Sequence, residues 1–169
     1  MAVLNTDHLL EQADELCASP SAGPPRQVDL RRAISAAYYA VFHHLLTAAA
    51  DEFVGVTKRR TARYALVYRS VDHRALRDLC NEARKPQPTS RYHPYLPTSG
   101  LGVDIQAFAV AFLELQERRH AADYDPASRF KIADGQFAIA RARSAIARFD
   151  RSNSTRRKAF LSLLLFPPR

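Results

Sequence analysis

The chain has 169 residues, 47% of them apolar and 25% charged, a length and balance that fit one domain with a single core. Its formal net charge is +8 and its sequence pI about 9.9, which favours a polyanion such as RNA, or an acidic partner protein, over a small anionic substrate. No stretch approaches the ~18 apolar residues a membrane-spanning helix needs, the start lacks the basic-then-apolar pattern of a signal peptide, and Cys17 and Cys80 have neither disulfide nor zinc spacing, so a cytoplasmic protein is the simplest expectation.

Asn5 or Thr6 can cap a short helix running to about Cys17, and the Ser19–Pro25 stretch, with Pro20, Gly23, Pro24 and Pro25, ends it as a linker. From Asp29 as N-cap, Ile34, Tyr38, Val41 and Leu45 recur at spacings of four, three and four, the stripe of an amphipathic helix that reaches about Ala50. Ala33, Ala37 and Ala40 flank the stripe and permit close helix approach. A third helix is expected over Ala62–Arg84, with Leu66, Val71, Leu76 and Leu79 as its buried side.

Residues 85–102 hold four prolines and two glycines and read as a long loop. Asp104 then caps a helix with Ile105, Phe108, Phe112 and Leu115 as its apolar face, and that helix delivers Arg118 to Tyr124 at its C-terminal end. A last long helix, about Ala127 to Arg151, shows Ile132, Phe137, Ile139, Ala142, Ala145, Ile146 and Phe149. Arg156-Arg157-Lys158 leads into a short apolar tail suited to docking on protein rather than on a membrane. No strand-like alternation competes. The expected architecture is an all-α, four- to five-helix up-and-down bundle: one domain over 1–152, residues 1–25 being its short helix and linker, followed by a basic and apolar tail over 153–169.

Two stretches interrupt this apolar periodicity with polarity. Arg32, Ser35 and Tyr39 share one face of the first long helix at spacings of three and four, with His43 and His44 a turn further on. Arg118, Arg119, His120, Asp123 and Tyr124 crowd the end of the later helix. Arg119 and Asp123, four apart, can form an ion pair worth ~0.2–0.5 kcal/mol when exposed. Arg119 and Tyr124, five apart, lie about 140° around an ideal helix and can converge only on a ligand, across a helix end, or at a dimer seam. Pro126 disfavours helical geometry at Asp125 and places the helix end there. A purely structural role is available too: Arg32 with Tyr39 facing Arg119 with Asp123 would make a buried ion-pair and hydroxyl network, which must satisfy every member.

The segment Arg31–Phe42 fits Arg-x-x-x-Ser-x-x-Tyr-Tyr-Ala-x-Phe, and Arg119–Tyr124 fits Arg-x-x-Ala-Asp-Tyr. In both respects, over roughly Asp29 to Asp150, the chain resembles the small helical HEPN proteins (higher eukaryotes and prokaryotes nucleotide-binding). The resemblance implies a HEPN-like bundle, a homodimer, membership of a toxin–antitoxin or defence system, binding of RNA or a nucleotide, and a small nucleotidyltransferase as a partner. Ribonuclease members carry an Arg and, a few residues on, a His, brought together from two subunits. Here Tyr124 stands five positions after Arg119, and a phenol with a pKa near ~10 is a poor general base. The site implied is therefore Arg119 as the phosphate-binding group with Tyr124 as its hydrogen-bond partner, Asp123 orienting it, and His120, His43 and His44 as the only candidates for proton transfer; Arg32, Tyr39 and Arg118 join Asp123 as ligand-binding residues.

No phosphate-cradling glycine loop, HExxH helix or Cys/His metal spacing is present in the sequence, so neither cofactor nor metal is expected. Arg141, Arg143, Arg148 and Arg151 give the last helix a basic face, and Lys58, Arg59, Arg60 and Arg63 make a second basic cluster. Both read first as solvated surface and second as RNA-backbone contacts. The competing class is a non-catalytic interaction module, in which the two motifs are core networks and function resides in the surface, the proline-rich loop or the tail.

Overall fold

The computed structural model describes residues 4–18 and 23–168. Residues 1–3, most of the expected linker (19–22) and Arg169 lie outside the described residues. Those described are all-helical, with no strand: α1 (Thr6–Ala18), α2 (Gln27–Phe53), α3 (Ala62–Arg69), α4 (His73–Ala83), α5 (Gly102–Tyr124), α6 (Ile132–Arg151) and α7 (Ser154–Leu165), plus short 3-10 turns at Val56–Lys58 and Ser90–Tyr95. No described helix is long and apolar enough to cross a membrane.

Helix α2 is the axis of the fold and packs on α1, α3, α5, α6 and α7. Its alanines make this possible: Ala33, Ala37, Ala40 and Ala50 are fully buried and let neighbouring backbones approach, while Ile34, Tyr38, Val41 and Leu45, the expected stripe, are at most 1% exposed. Against them α5 sets Ile105, Phe108, Phe112 and Leu115, all at 0%. At Gly135 α6 meets α1 so closely that a β-carbon there would collide with Cys17 Sγ.

Seven α-helices replace the four or five expected, for two local reasons. The single helix expected over 62–84 breaks at Ser70–Asp72, because Asp72 turns extended and accepts a 2.7 Å hydrogen bond from Ala75 N, opening α4 as an N-cap. The break re-aims α3, leaving Leu66 71% exposed and burying Tyr64 and Val67 in its place. The tail forms the other extra helix, capped by Asn153 and docked on its own domain through Phe160, Leu161, Leu163 and Leu164. Phe160 completes an aromatic group with Phe108 and Phe149, ring centroids 5.2–6.2 Å apart.

Other boundaries move by a few residues. Helix α2 starts at Gln27, and Asp29 sits inside its first turn, paired with Arg26. Asp104 does not cap α5; from its first turn it binds Arg148 and Arg151 of α6. Helix α6 begins at Ile132 rather than Ala127, since the Asp125 carboxylate accepts from Ala127 N and Ser128 Oγ and holds a turn there. Two residues expected on the apolar face of α6, Ile132 and Phe137, are 39% and 42% exposed. Within the 85–102 loop, the 3-10 turn buries Tyr92.

Candidate functional site

The two sequence motifs meet where α5 ends beside α2. Arg31 fixes that end: its guanidinium donates to Ala122 O (2.7 Å), Asp125 O (2.8 Å) and Ser128 O (2.6 Å), saturating carbonyls that the helix terminus leaves free. A cation at this position also opposes the negative end of the helix dipole.

Arg119 lies one turn inside, its side chain only 18% exposed. Its Nη2 donates to Tyr39 Oη of α2 at 2.7 Å and lies 3.4 Å from Tyr124 Oη, so the five-residue spacing converges across the helix end. Nε sits 2.6 Å from Asp123 Oδ2 with its N–H directed off the carboxylate, an ionic contact without a hydrogen bond. The guanidinium also stands over the rings of Tyr38, Tyr39 and Tyr124, with Cζ 5.2–5.9 Å from the centroids. Ser35 Oγ of α2 donates to the other oxygen of Asp123. Burial works against the charge of Arg119, but the Tyr39 hydrogen bond and the Asp123 carboxylate outweigh it and hold its pKa above the usual value.

The cross-helix network expected from the motifs thus exists as Tyr39–Arg119–Asp123–Ser35, without Arg32. Arg32 is exposed and makes no hydrogen bond or ion pair with any described residue. It stands at a cleft of ≈ 360 Å³ whose polar wall is Ser35, Tyr39, His43 and Asp123 and whose apolar wall includes Leu9 and Leu16 of α1.

The other expected residues separate. Tyr124 is 62% exposed, and the exposed His120 lies against it with ring centroids 5.1 Å apart. His43 reaches the cleft, but its Nδ1 is 2.8 Å from Tyr68 Oη and its ring stacks on Tyr39. His44 points to the opposite flank and pairs with Asp150 of α6. Arg118, 100° around α5 from Arg119 on an ideal helix, sits over Phe137 and between Glu114 and Asp134. His44 and Arg118 therefore lie outside the cluster.

Sequence reasoning missed His73 and Tyr68. His73 Nδ1 is 2.7 Å from Tyr38 Oη, and its ring stacks on Phe42 at 4.0 Å. Burial, and then the charge of Arg119, push its pKa below the usual imidazole value; burial, and then His73, do the same to His43. Both imidazoles are thereby biased toward the neutral form. The sequence signal available for His73 was Asp72, a good N-cap residue that starts α4 and turns the following side chain onto α2.

Among the described residues no group of three or more His, Cys, Asp or Glu is arranged to hold a metal ion. The basic face of α6 is neutralised in place: Arg141 pairs with Glu114, Arg143 with Asp14, and Arg148 and Arg151 with Asp104. What the cluster offers chemically is an oriented, largely buried cation beside an exposed phenol and imidazole, next to a cleft whose lining includes Arg32, Tyr39 and Asp123. No protein-family model, curated protein or solved structure gives a significant match to this chain.

Proposed function

We propose that the chain is a HEPN-like helical protein of the toxin–antitoxin or defence kind, acting in the cytoplasm as a homodimer, and that it takes a phosphate of RNA or of a nucleotide at the cleft between α1 and α2, beside the end of α5. The observation that carries this reading is Arg32: an exposed guanidinium, without a hydrogen bond or ion pair to any described residue, at a cleft lined by hydroxyls, an imidazole and the Asp123 carboxylate that Arg119 already answers, on a basic chain. A guanidinium presents a fixed fork of donors that matches phosphate oxygens. In this reading Arg119 contributes through its field and by holding Tyr39 and Tyr124 in place, because its own donors face Tyr39, Tyr124 and Asp123. Homodimerisation and a nucleotidyltransferase partner come from the family resemblance.

Endoribonuclease chemistry needs a base to take a proton from the ribose hydroxyl and an acid for the leaving oxygen. His120 is the accessible imidazole of the cluster, and the Tyr124 ring lies beside it. His43 faces the cleft but is engaged by Tyr68. The test is cleavage of labelled tRNA and a structured messenger at several pH values, with binding measured in parallel on wild type, Arg32→Ala and Arg119→Ala. The expected result is binding weakened about 10- to 100-fold by Arg32→Ala, the loss of one charge-assisted contact. Cleavage abolished by His120→Ala would add catalysis to binding; equal binding by all three proteins would remove the reading.

A second reading, a non-catalytic module that partners a nucleotidyltransferase or another protein, is favoured by one specific observation. Arg119 is largely buried and answered by its own neighbours, as a core network would be. Unchanged partner capture by an Arg32→Ala protein that has lost no nucleic-acid binding would select it.

A further inference from the structure

At the opposite end of α2 from the cleft, two segments distant in sequence put aromatic side chains into solvent together. Phe53 closes α2 and is 57% exposed; Phe166, just past α7, is 61% exposed; their ring centroids are 5.6 Å apart. Val56, in the 3-10 turn that follows α2, is 60% exposed. Leu165 packs into the small cluster of Ala50, Tyr64 and Val67, so the ends of α2 and α7 and the start of α3 converge here. Between α2 and α7 the two phenylalanines border a slot of ≈ 180 Å³ floored by Ala49, Leu161 and Leu165.

The charge around this apolar tip that has no partner among the described residues is positive. Its two carboxylates are already answered: Asp51 by Arg59, with Tyr64 donating to it, and Glu52 by Lys158. The side chains of Lys58, Arg60 and Arg63 are exposed and have no hydrogen bond or ion pair with any described residue. They follow Val56 within the same turn and the first turn of α3.

We propose that this end of the bundle docks peripherally on an anionic lipid surface, Phe53, Val56 and Phe166 entering the headgroup–acyl boundary and Lys58, Arg60 and Arg63 lying over the headgroups. Three observations select this occupant. A second copy brings the same three unpaired cations against themselves. Single-stranded nucleic acid stacks successive bases on aromatic platforms, whereas the two phenyl rings, inclined at 53°, offer no shared platform for stacked bases. Aliphatic and phenyl groups without a polar atom, rimmed by cations, match the two-signal rule by which weak apolar insertion and a polybasic patch together hold a protein on a bilayer. The tip is separate from the cleft: Tyr39 and Phe53 are fourteen residues apart on one helix, about 21 Å at 1.5 Å per residue.

The experiment is flotation of the full chain with vesicles of pure phosphatidylcholine and with vesicles of phosphatidylcholine and phosphatidylserine in a three-to-one ratio, with polyuridylate binding measured in parallel. Wild type floats with the anionic vesicles only. The triple variant Lys58→Gln, Arg60→Gln, Arg63→Gln lowers the partition coefficient on the order of a hundredfold. Phe53→Ser with Phe166→Ser lowers it about tenfold and leaves a residue of binding that added salt abolishes. Both variants alter exposed positions, and circular dichroism confirms that they fold. Arg32→Ala floats as wild type does, which separates this surface from the cleft. Absence of flotation, equal flotation with both vesicles, or insensitivity to both variants would overturn the proposal. Polyuridylate binding lost in the charge variant without any vesicle binding would reassign the tip to nucleic acid.

Discussion

Two regions of this molecule are rich in arginine, and they use it in opposite ways. On α6 the guanidiniums lie on the outside and each meets a carboxylate in solvent: Arg143 with Asp14 is about half exposed on both sides. Such pairs neutralise charge and contribute little, because water screens them and two long side chains must be held still. At the α2–α5 junction Arg119 is enclosed by three tyrosine rings, with Asp123 ion-paired to it and Tyr39 accepting its hydrogen bond. There Arg119 keeps only 18% of its side chain exposed, so a missing partner leaves a largely desolvated charge, and the same residue type becomes an organiser of the fold. Arg32, on the same cleft as Asp123 yet without a hydrogen bond or ion pair to any described residue, is neither.

The largest effect is expected from Arg119→Met, which keeps the volume but removes the donor to Tyr39 and the counter-charge of Asp123: a loss of about 1–3 kcal/mol in denaturant unfolding. Tyr39→Phe removes one acceptor from the same guanidinium and is expected to cost about 1–2 kcal/mol. Gly135→Ala on the inner face of α6 should cost about 1–3 kcal/mol, because the added carbon meets Cys17 on a packed helix. That result would place the contribution of α6 in its small residues rather than in its arginines.

A pH titration sharpens the comparison from another side. His43 faces Tyr39 and Phe42 of α2, Tyr68 of α3 and His73 of α4; His73 faces Tyr38, Asp72 and, across on α5, Arg119. Both folded-state pKa values are depressed, so the unfolded chain binds more protons than the folded one below the ordinary imidazole value of ~6.5. Their contribution is fully present above that pH and is lost as pH falls through the folded values. The melting temperature should therefore fall on acidification from pH ~7 to pH ~5, and Tyr68→Phe with His43→Phe should flatten the slope. The smallest effect belongs to Arg143→Ala: less than about 0.5 kcal/mol, with little change on adding salt. A larger loss would erase the distinction between the two regions.

Much of the architecture was legible from spacing. Ile34, Tyr38, Val41 and Leu45 declared the buried side of α2, and Ile105, Phe108, Phe112 and Leu115 that of α5, because helical periodicity and burial are the same statement for a helix with one wet face. The 62–84 segment misled for a reason of scale: its apolar positions suit one helix, but a single local hydrogen bond, accepted by the Asp72 carboxylate from Ala75 N, decides the break. The cleft was half legible. Arg119, Tyr39, Asp123 and Ser35 stood out as polarity in apolar helices, and the tertiary structure joined them; the same reasoning drew in Arg118 and His44, which helical geometry turns to other faces.

By itself the sequence determined the helical class, the two principal core stripes and the motif pair whose side chains meet, since each follows from local periodicity and side-chain chemistry. Only the tertiary structure decided which cations are answered and which remain free. Pairing depends on carboxylates far away in the chain, such as Asp14 for Arg143 and Glu114 for Arg141, and on faces separated by 100° of helix rotation. For the same reason Arg32, Lys58, Arg60 and Arg63 emerge among the cations whose side chains have no hydrogen bond or ion pair with a described residue: a cation's neighbours are set by packing, which the order of residues does not display.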